Sequence, residues 1–598
     1  MIDPESTSDS DLSVNASTRE TRWSWLVGFG VMLLTLIPYL WGWMIAGARP
    51  QLGVYSWFTF NATDHCVYLA WMRQAADGHF FQQNLFTTDP QGGHQFNLFF
   101  LALGTVARFT HLSTICVYQV TRFVLGIVFL RSVYWLLQLL LSNERARRMA
   151  FLVIAFSAGL GWIPGLWEMG LVRGPVDTWQ PEAITFLSLY LFPLFIVSLL
   201  LMVGVLGWLL VAERTGSYRH AVYAGICGLL LGNIHSYDVI TLTAIWGGYL
   251  IARGVVRRRF EAASWGRAIV AGVLTAISTG YMAYLLKTET VFAKRAAVPT
   301  LSPPFSMYLL GFGLVFILAL AGALLRSSVQ HYRPNPADSE AEDATAIPSS
   351  ESNTVSAKPP DSRLFLIVWF VANLVVAYLP VAFQRKMVMG VHLPLSILAG
   401  VGLLCMVTSL KGSARFLVTS AAILVMSLTN LRFVMQNFTE LPENQGPVRA
   451  YMYPGELVAL NWIRDHAPAG VPVQPLPWIT VNPANGKLGF FDNTVACFTP
   501  GLTGHPVNAG HWGETPDFGK TMNQWTTFQR PDTPDEWRRN LLQTSGVRYL
   551  VFSQKHDETH DEGVENTLLT LFRNNPPSYL RAIPEASSSD ADVYEVNL

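Results

Sequence analysis

From Trp23 onward the chain alternates between long apolar blocks and short polar loops. The blocks fall at Trp23–Ala46, Ser113–Leu141, Ala150–Gly170, Thr185–Ala212, His220–Ser236 and Val239–Ala252. They continue at Ala268–Leu286, Phe305–Leu325, Leu364–Leu379, Val391–Leu410 and Phe416–Phe433. Apolar runs of this kind are read as helices crossing roughly 30 Å of hydrocarbon, about eleven in all. Basic residues fix their direction. Arg145, Arg147 and Arg148 follow the second block, Arg214 and Arg219 the fourth, Arg253 and Arg257 to Arg259 the sixth, and Lys411 and Arg415 the tenth. These loops alternate consistently when their side is cytoplasmic, which places the N-terminus inside and the C-terminus outside.

The segments between and beyond the blocks divide the chain further. Residues 1–22 are polar and lack the basic, apolar and small-residue order of a signal peptide, so a disordered cytoplasmic tail is expected. Residues 327–363 are rich in Ser, Pro, Ala, Asp and Glu and predict a disordered cytoplasmic loop. The first outside loop, 51–112, behaves differently. Val67, Trp71 and Ala75 form one helical stripe, and Asn97–Phe109 is a second short apolar stretch, which together predict two helices lying along the membrane surface. Residues 23–436 thus form the membrane module. From 437 to 598 the pattern is that of a soluble α/β domain, with an amphipathic helix at Gly455–His466 and strands at Arg548–Phe552 and Asp592–Val596. The fold class is an α-helical polytopic membrane protein with a C-terminal extracytoplasmic α/β domain.

Composition sharpens this reading. Only 14% of the residues are charged and 51% are hydrophobic, with net charge +0, so no nucleic-acid partner is indicated. The five cysteines show no metal-ligand spacing; Cys66 and Cys497 both fall outside on this topology, which permits a disulfide without requiring one. A P-loop, an HExxH motif, a GxSxG elbow and a Rossmann fingerprint are all missing.

Ionisable groups near the outer ends of spans are costly and therefore mark candidate sites. Asp64 begins an interfacial helix, where a carboxylate can accept a proton, bind a metal ion or merely cap the helix. Glu182 precedes the fourth span, where a helix dipole alone would favour an acid. His235, Tyr237 and Asp238 lie in a polar turn between two apolar blocks, which a structural turn also explains. Arg385 and Lys386, with His392 downstream, put two cations outside against the prevailing bias. A phosphate at headgroup depth suits them, as does an ordinary anionic lipid. His511 and Glu514 sit in the aromatic and polar run Gly510–Asp517, suited to substrate contact or to packing.

The order and sidedness of these features resemble the GT-C glycosyltransferases, and best of all uncharacterised bacterial membrane proteins of that class. The resemblance runs through Asp64–Gly78, Ser157–Trp162, Trp179–Leu189, His235–Asp238, Gln384–Lys386 with Gly390–Pro394, and Gly510–Thr515. It implies transfer of a sugar from a polyprenyl-phosphate carrier to a glycan, lipid or protein acceptor at the outer face of a bacterial inner membrane. Asp64 would be the catalytic base or a ligand to Mg or Mn, and Arg385 and Lys386 would hold the carrier phosphate. Two departures stand out: Asp64 is followed by His65 where relatives show paired acids, and Ser236 stands where proline is expected. A transporter or lipid flippase is the alternative, opposed by the lack of an internal repeat or of paired interrupted helices. A non-catalytic envelope scaffold is the third reading.

Overall fold

A computed structural model describes residues 9–170, 173–325, 361–443, 450–477, 479–481, 488–490, 495–553, 572, 574–588 and 591–598. The loop expected to be disordered at 327–363 lies outside the described residues except for its last three positions, as do residues 1–8 of the tail. The rest of that tail corrects the expectation: one helix runs through Asp9–Ala48. Its Glu20 is buried and bonded to Arg147 at 2.6 Å and to the Tyr134 hydroxyl at 2.9 Å, which draws the polar segment onto the protein.

Eight helices are long and apolar enough to cross a membrane, among the described residues. The remaining three expected spans are also helices, but shorter: Glu144–Phe156, Tyr218–Ile234 and Ser362–Val376. The block at 185–212 is broken at Phe192, because Pro193 has no N–H to continue the ladder. The carbonyls of Leu189 and Tyr190, freed by that break, accept from the fully buried Arg122 at 3.2 and 3.1 Å. By contact the chain forms two compact units. One contains Met1–Leu36, Thr121–Met282 and Pro299–Met435; the other contains Ile37–Val120, Ala283–Val298 and Gln436–Leu598.

The first unit is built around helix His392–Val407, which lies in a segment 94% buried, whereas the Gly412–Glu443 window is 22% buried and presents Phe416, Leu417 and Leu424 outward. Small residues make the central packing possible: a Cβ on Gly402 would lie 2.0 Å from the Leu318 carbonyl, and one on Gly400 would lie 2.5 Å from Ala150 Cα. The stretch Ser157–Trp162 leaves the helical path inside this bundle, yet its amides are satisfied. Gly159 and Gly161 donate to Asp177 Oδ2 at 2.9 and 3.1 Å, and Trp162 donates to Thr429 Oγ1 at 3.1 Å. Leu160 donates to the Leu310 carbonyl at 2.9 Å, next to a kink at Gly313, whose φ of +46° only glycine adopts readily. Buried irregular backbone survives here because every N–H finds an oxygen.

The second unit holds a four-stranded sheet in the order Val473–Pro475, Tyr549–Ser553, Ala591–Val596, Leu580–Ala582, the first pair parallel and the others antiparallel. Alternation along Tyr549–Ser553 sends Tyr549 and Val551 toward Ala459 and Ile463 of helix Pro454–His466. Leu550 and Phe552 point the other way, onto Met522, Trp525 and Phe528 of helix Phe518–Phe528 and onto Leu541 and Leu542. The same unit contains the expected helices of the first long loop, at Ala62–Ala76 and Leu98–Thr110.

Candidate active site

In the second unit two residues singled out from the sequence, Asp64 and His511, meet. Asn61, at φ +47°, turns the chain into helix Ala62–Ala76 and places Asp64 in its first turn. The Asp64 carboxylate is 30% exposed, and each of its oxygens faces a donor. Asn61 Nδ2 donates to Oδ2 at 2.6 Å, and His511 Nε2 lies 3.2 Å from Oδ1. The tautomer of His511 follows from its other nitrogen. Nδ1 accepts the amides of Gly513 and Glu514, both at 3.1 Å, so the ring proton sits on Nε2 and points at Asp64. The loop holding His511 is fixed in turn by Thr515, whose hydroxyl donates to the Phe86 carbonyl at 2.7 Å and accepts from the Gly510 amide at 3.1 Å.

Glu514, almost fully buried, pairs with Arg295 at 2.6 Å, and the Arg295 guanidinium stacks 5.0 Å from the Trp71 ring centre. Its backbone carbonyl accepts from Asn84 Nδ2 at 2.8 Å. Beside it Glu289 bonds the Gly92 amide at 2.8 Å and His94 at 2.9 Å. Arg295 and Glu289 were not among the sequence candidates. The signal was present in Lys294 and Arg295, two cations following a span on the side where few are expected, as with Arg385 and Lys386.

In the first unit Arg385 and Lys386 occupy the 3-10 turn Gln384–Val388. Neither forms an ion pair with a carboxylate among the described residues; each rests on an aromatic ring instead. Arg385 lies 5.4 Å from the centre of Trp179 and Lys386 lies 4.8 Å from that of Tyr237. Gln180 Nε2 donates to the Arg385 carbonyl at 3.2 Å, and the Arg385 amide donates to the Thr300 carbonyl at 3.0 Å, so the turn itself is anchored. Arg385 Nε is buried without a hydrogen-bond partner. Of the other candidates, His235 bonds Asp238 at 2.9 Å, and Ser198 donates to the same carboxylate oxygen. His392 is buried among hydroxyls, within 2.9 Å of Thr185 Oγ1 and 3.2 Å of Ser157 Oγ. Glu182 is buried in the short turn Pro181–Ala183, within electrostatic reach of Tyr308.

The surroundings of Asp64 do not fit Mg or Mn. A hard divalent ion needs several oxygen ligands, whereas both Asp64 oxygens face N–H donors and the nearby Glu514 is committed to Arg295. Among the described residues no three His, Cys, Asp or Glu side chains are grouped to hold a metal ion.

The chain has a GT-C-type fold, shown by its likeness to solved structures. It is similar to the arabinofuranosyltransferase AftD from mycobacteria, with TM-score 0.50 and 12% identity over 96% of this chain and 40% of that one. A variant form of AftD gives TM-score 0.53 and 12% identity over 96% of this chain and 42% of the other. The oligosaccharyltransferase of Archaeoglobus fulgidus gives 0.47 and 12% identity over 89% and 70%. The chain spans about two fifths of the length of AftD, and at these identities the likeness is one of fold. No protein-family model and no curated protein matches the sequence.

Proposed function

We propose that the protein is a membrane glycosyltransferase that moves a sugar from a polyprenyl-phosphate carrier to an acceptor at the extracytoplasmic face of a bacterial inner membrane. The observation that carries this reading is the Arg385–Lys386 turn. Two cations held on Trp179 and Tyr237, with no carboxylate partner among the described residues, suit the phosphate of a lipid-linked donor. Cations so placed stabilise the charge that gathers on the departing phosphate. Asp64 takes the proton of the acceptor hydroxyl as the new glycosidic bond forms, and His511 and Asn61 keep its carboxylate oriented. Glu514, Glu182, His235, Tyr237, Asp238 and His392 support the two sites or contact substrate. Residues 437–598 form the extracytoplasmic domain that supplies His511.

The test is transfer of radiolabelled sugar by purified protein in detergent, wild type beside Asp64→Asn. Because AftD is an arabinofuranosyltransferase, the first donor to try among polyprenyl-phosphate sugars is one that carries arabinofuranose. Label reaching an acceptor or water in wild type and not in the variant is expected. Equal transfer by both removes Asp64 from the reaction, and no transfer from any of a panel of polyprenyl-phosphate sugars counts against the proposal.

A further inference from the structure

Cys66 and Cys497 are both thiols in the structure, both fully buried, and close enough for Cys497 to act on the Cys66 thiol. They sit on a seam between helix Ala62–Ala76 and helix Val495–Thr503, whose register can be followed residue by residue. One turn beyond the cysteines, a Cβ on Gly501 would lie 2.8 Å from Leu69 Cβ and 3.4 Å from the Ala70 amide. A further turn along, a Cβ on Gly504 would lie 3.1 Å from Asp77 Oδ2 and 3.8 Å from Arg73 Cγ. The two helices therefore advance in the same direction with their backbones close, and Cys66 faces Cys497 at the start of the seam.

We propose that Cys66 and Cys497 are joined by a disulfide in the mature protein, tying the helix that carries Asp64 to the segment that leads into the His511 loop. The proposal rests on the extracytoplasmic placement of both residues in the reading above, since oxidised pairs persist on that side of a bacterial membrane. Closing the bond sets the two sulfurs about 2.05 Å apart. The oxidant is a protein disulfide. One thiolate attacks it to give a mixed disulfide and a released thiolate, and the second cysteine thiolate then displaces the other sulfur. The pair loses two protons and two electrons, and the oxidant leaves as two thiols. Both sulfurs are closed to solvent in the folded unit, and burial pushes the Cys66 thiol up, so the exchange takes place while the chain is folding and before the helices dock.

The full-length protein, taken from membranes into denaturant without reductant, is alkylated, digested and analysed by mass spectrometry. The expected result is one linked peptide containing Cys66 and Cys497, lighter by two hydrogens than the reduced pair, while Cys116, which is exposed, alkylates directly. Full alkylation of Cys66 and Cys497 without reductant overturns the proposal. A C-terminal epitope probed with external protease on intact spheroplasts separates the causes. Free thiols with an accessible epitope refute the disulfide alone, whereas free thiols with a protected epitope refute the orientation as well. As a second measure, wild type unfolded in detergent for denaturing electrophoresis should migrate faster without reductant than with it, and Cys497→Ala should migrate equally in both; a wild type whose migration ignores reductant refutes the link.

Discussion

Asp177 offers a perturbation whose size follows from its surroundings. Its side chain is fully buried in the first unit, where Oδ2 accepts the amides of Gly159 and Gly161 and so shapes the irregular turn between two helices. Burial raises its carboxyl from the ordinary 3.8 to about 6, against the lowering effect of Thr429 and those amides. The folded state thus prefers the neutral acid, so the contribution to stability is fully present below the unfolded value and is lost as pH rises through the folded one. The gap of about two units corresponds to roughly 3 kcal/mol between pH 4 and pH 7 and above. Asp177→Asn keeps an acceptor for the two glycine amides and removes the titration. Melting temperatures of both proteins, measured in detergent from pH 5 to pH 7.5, should diverge steadily in favour of the variant. A difference that stays constant across that range would show that Asp177 is ionised throughout, and the argument from burial would be wrong.

Four further outcomes are expected. His511→Ala removes a hydrogen bond to a charged group, an effect of roughly 1.5–3 kcal/mol, so transfer should fall about 10- to 100-fold with little change in donor KM; a change confined to KM would make His511 a binding residue instead. Arg385→Gln should raise the donor KM by about tenfold or more while the protein still folds, because the cation acts on phosphate, and unchanged kinetics would remove the turn from the donor site. Arg295→Met leaves Glu514 buried without its partner and should cost roughly 3–5 kcal/mol in thermal unfolding. For Glu289, burial opposes ionisation, but the Gly92 amide and His94 outweigh it and hold the carboxyl below its usual range. That stabilisation is present above the ordinary glutamate value and is lost as pH falls below about 4; Glu289→Gln should flatten this acid-side loss in a pH series of melting temperatures.

Much of the molecule was legible in the apolar blocks. Length and hydrophobicity found a helix in each apolar block, because a lipid-facing or bundle-facing segment must be apolar and satisfy its own backbone, but the block 150–170 is helical only as far as Phe156. They did not determine length within the bundle: Glu144–Phe156 stops early because Ser157–Trp162 finds acceptors on Asp177, Thr429 and the kinked helix, groups far away in sequence. The break at Pro193 was local and readable, whereas the fully buried Arg122 that satisfies it was not. Two of the four sheet strands and the amphipathic helix of the C-terminal segment were evident from their periodicity, whereas Val473–Pro475 and Leu580–Ala582 were not, and the compact unit they belong to also takes in residues 37–120 and 283–298.

The candidate site divides in the same way. Sequence alone marked Asp64, His511, Glu514, Arg385 and Lys386, because charged and polar side chains are costly beside a membrane and so stand out. Only the tertiary structure decided that His511 aims a proton at Asp64, that Arg295 neutralises Glu514, and that Cys66 meets Cys497. Each of these pairs joins residues separated by more than two hundred positions. Hydrogen bonds and ion pairs depend on distance in space, and hydrophobic pattern, which fixes elements, carries no information about which distant elements will touch.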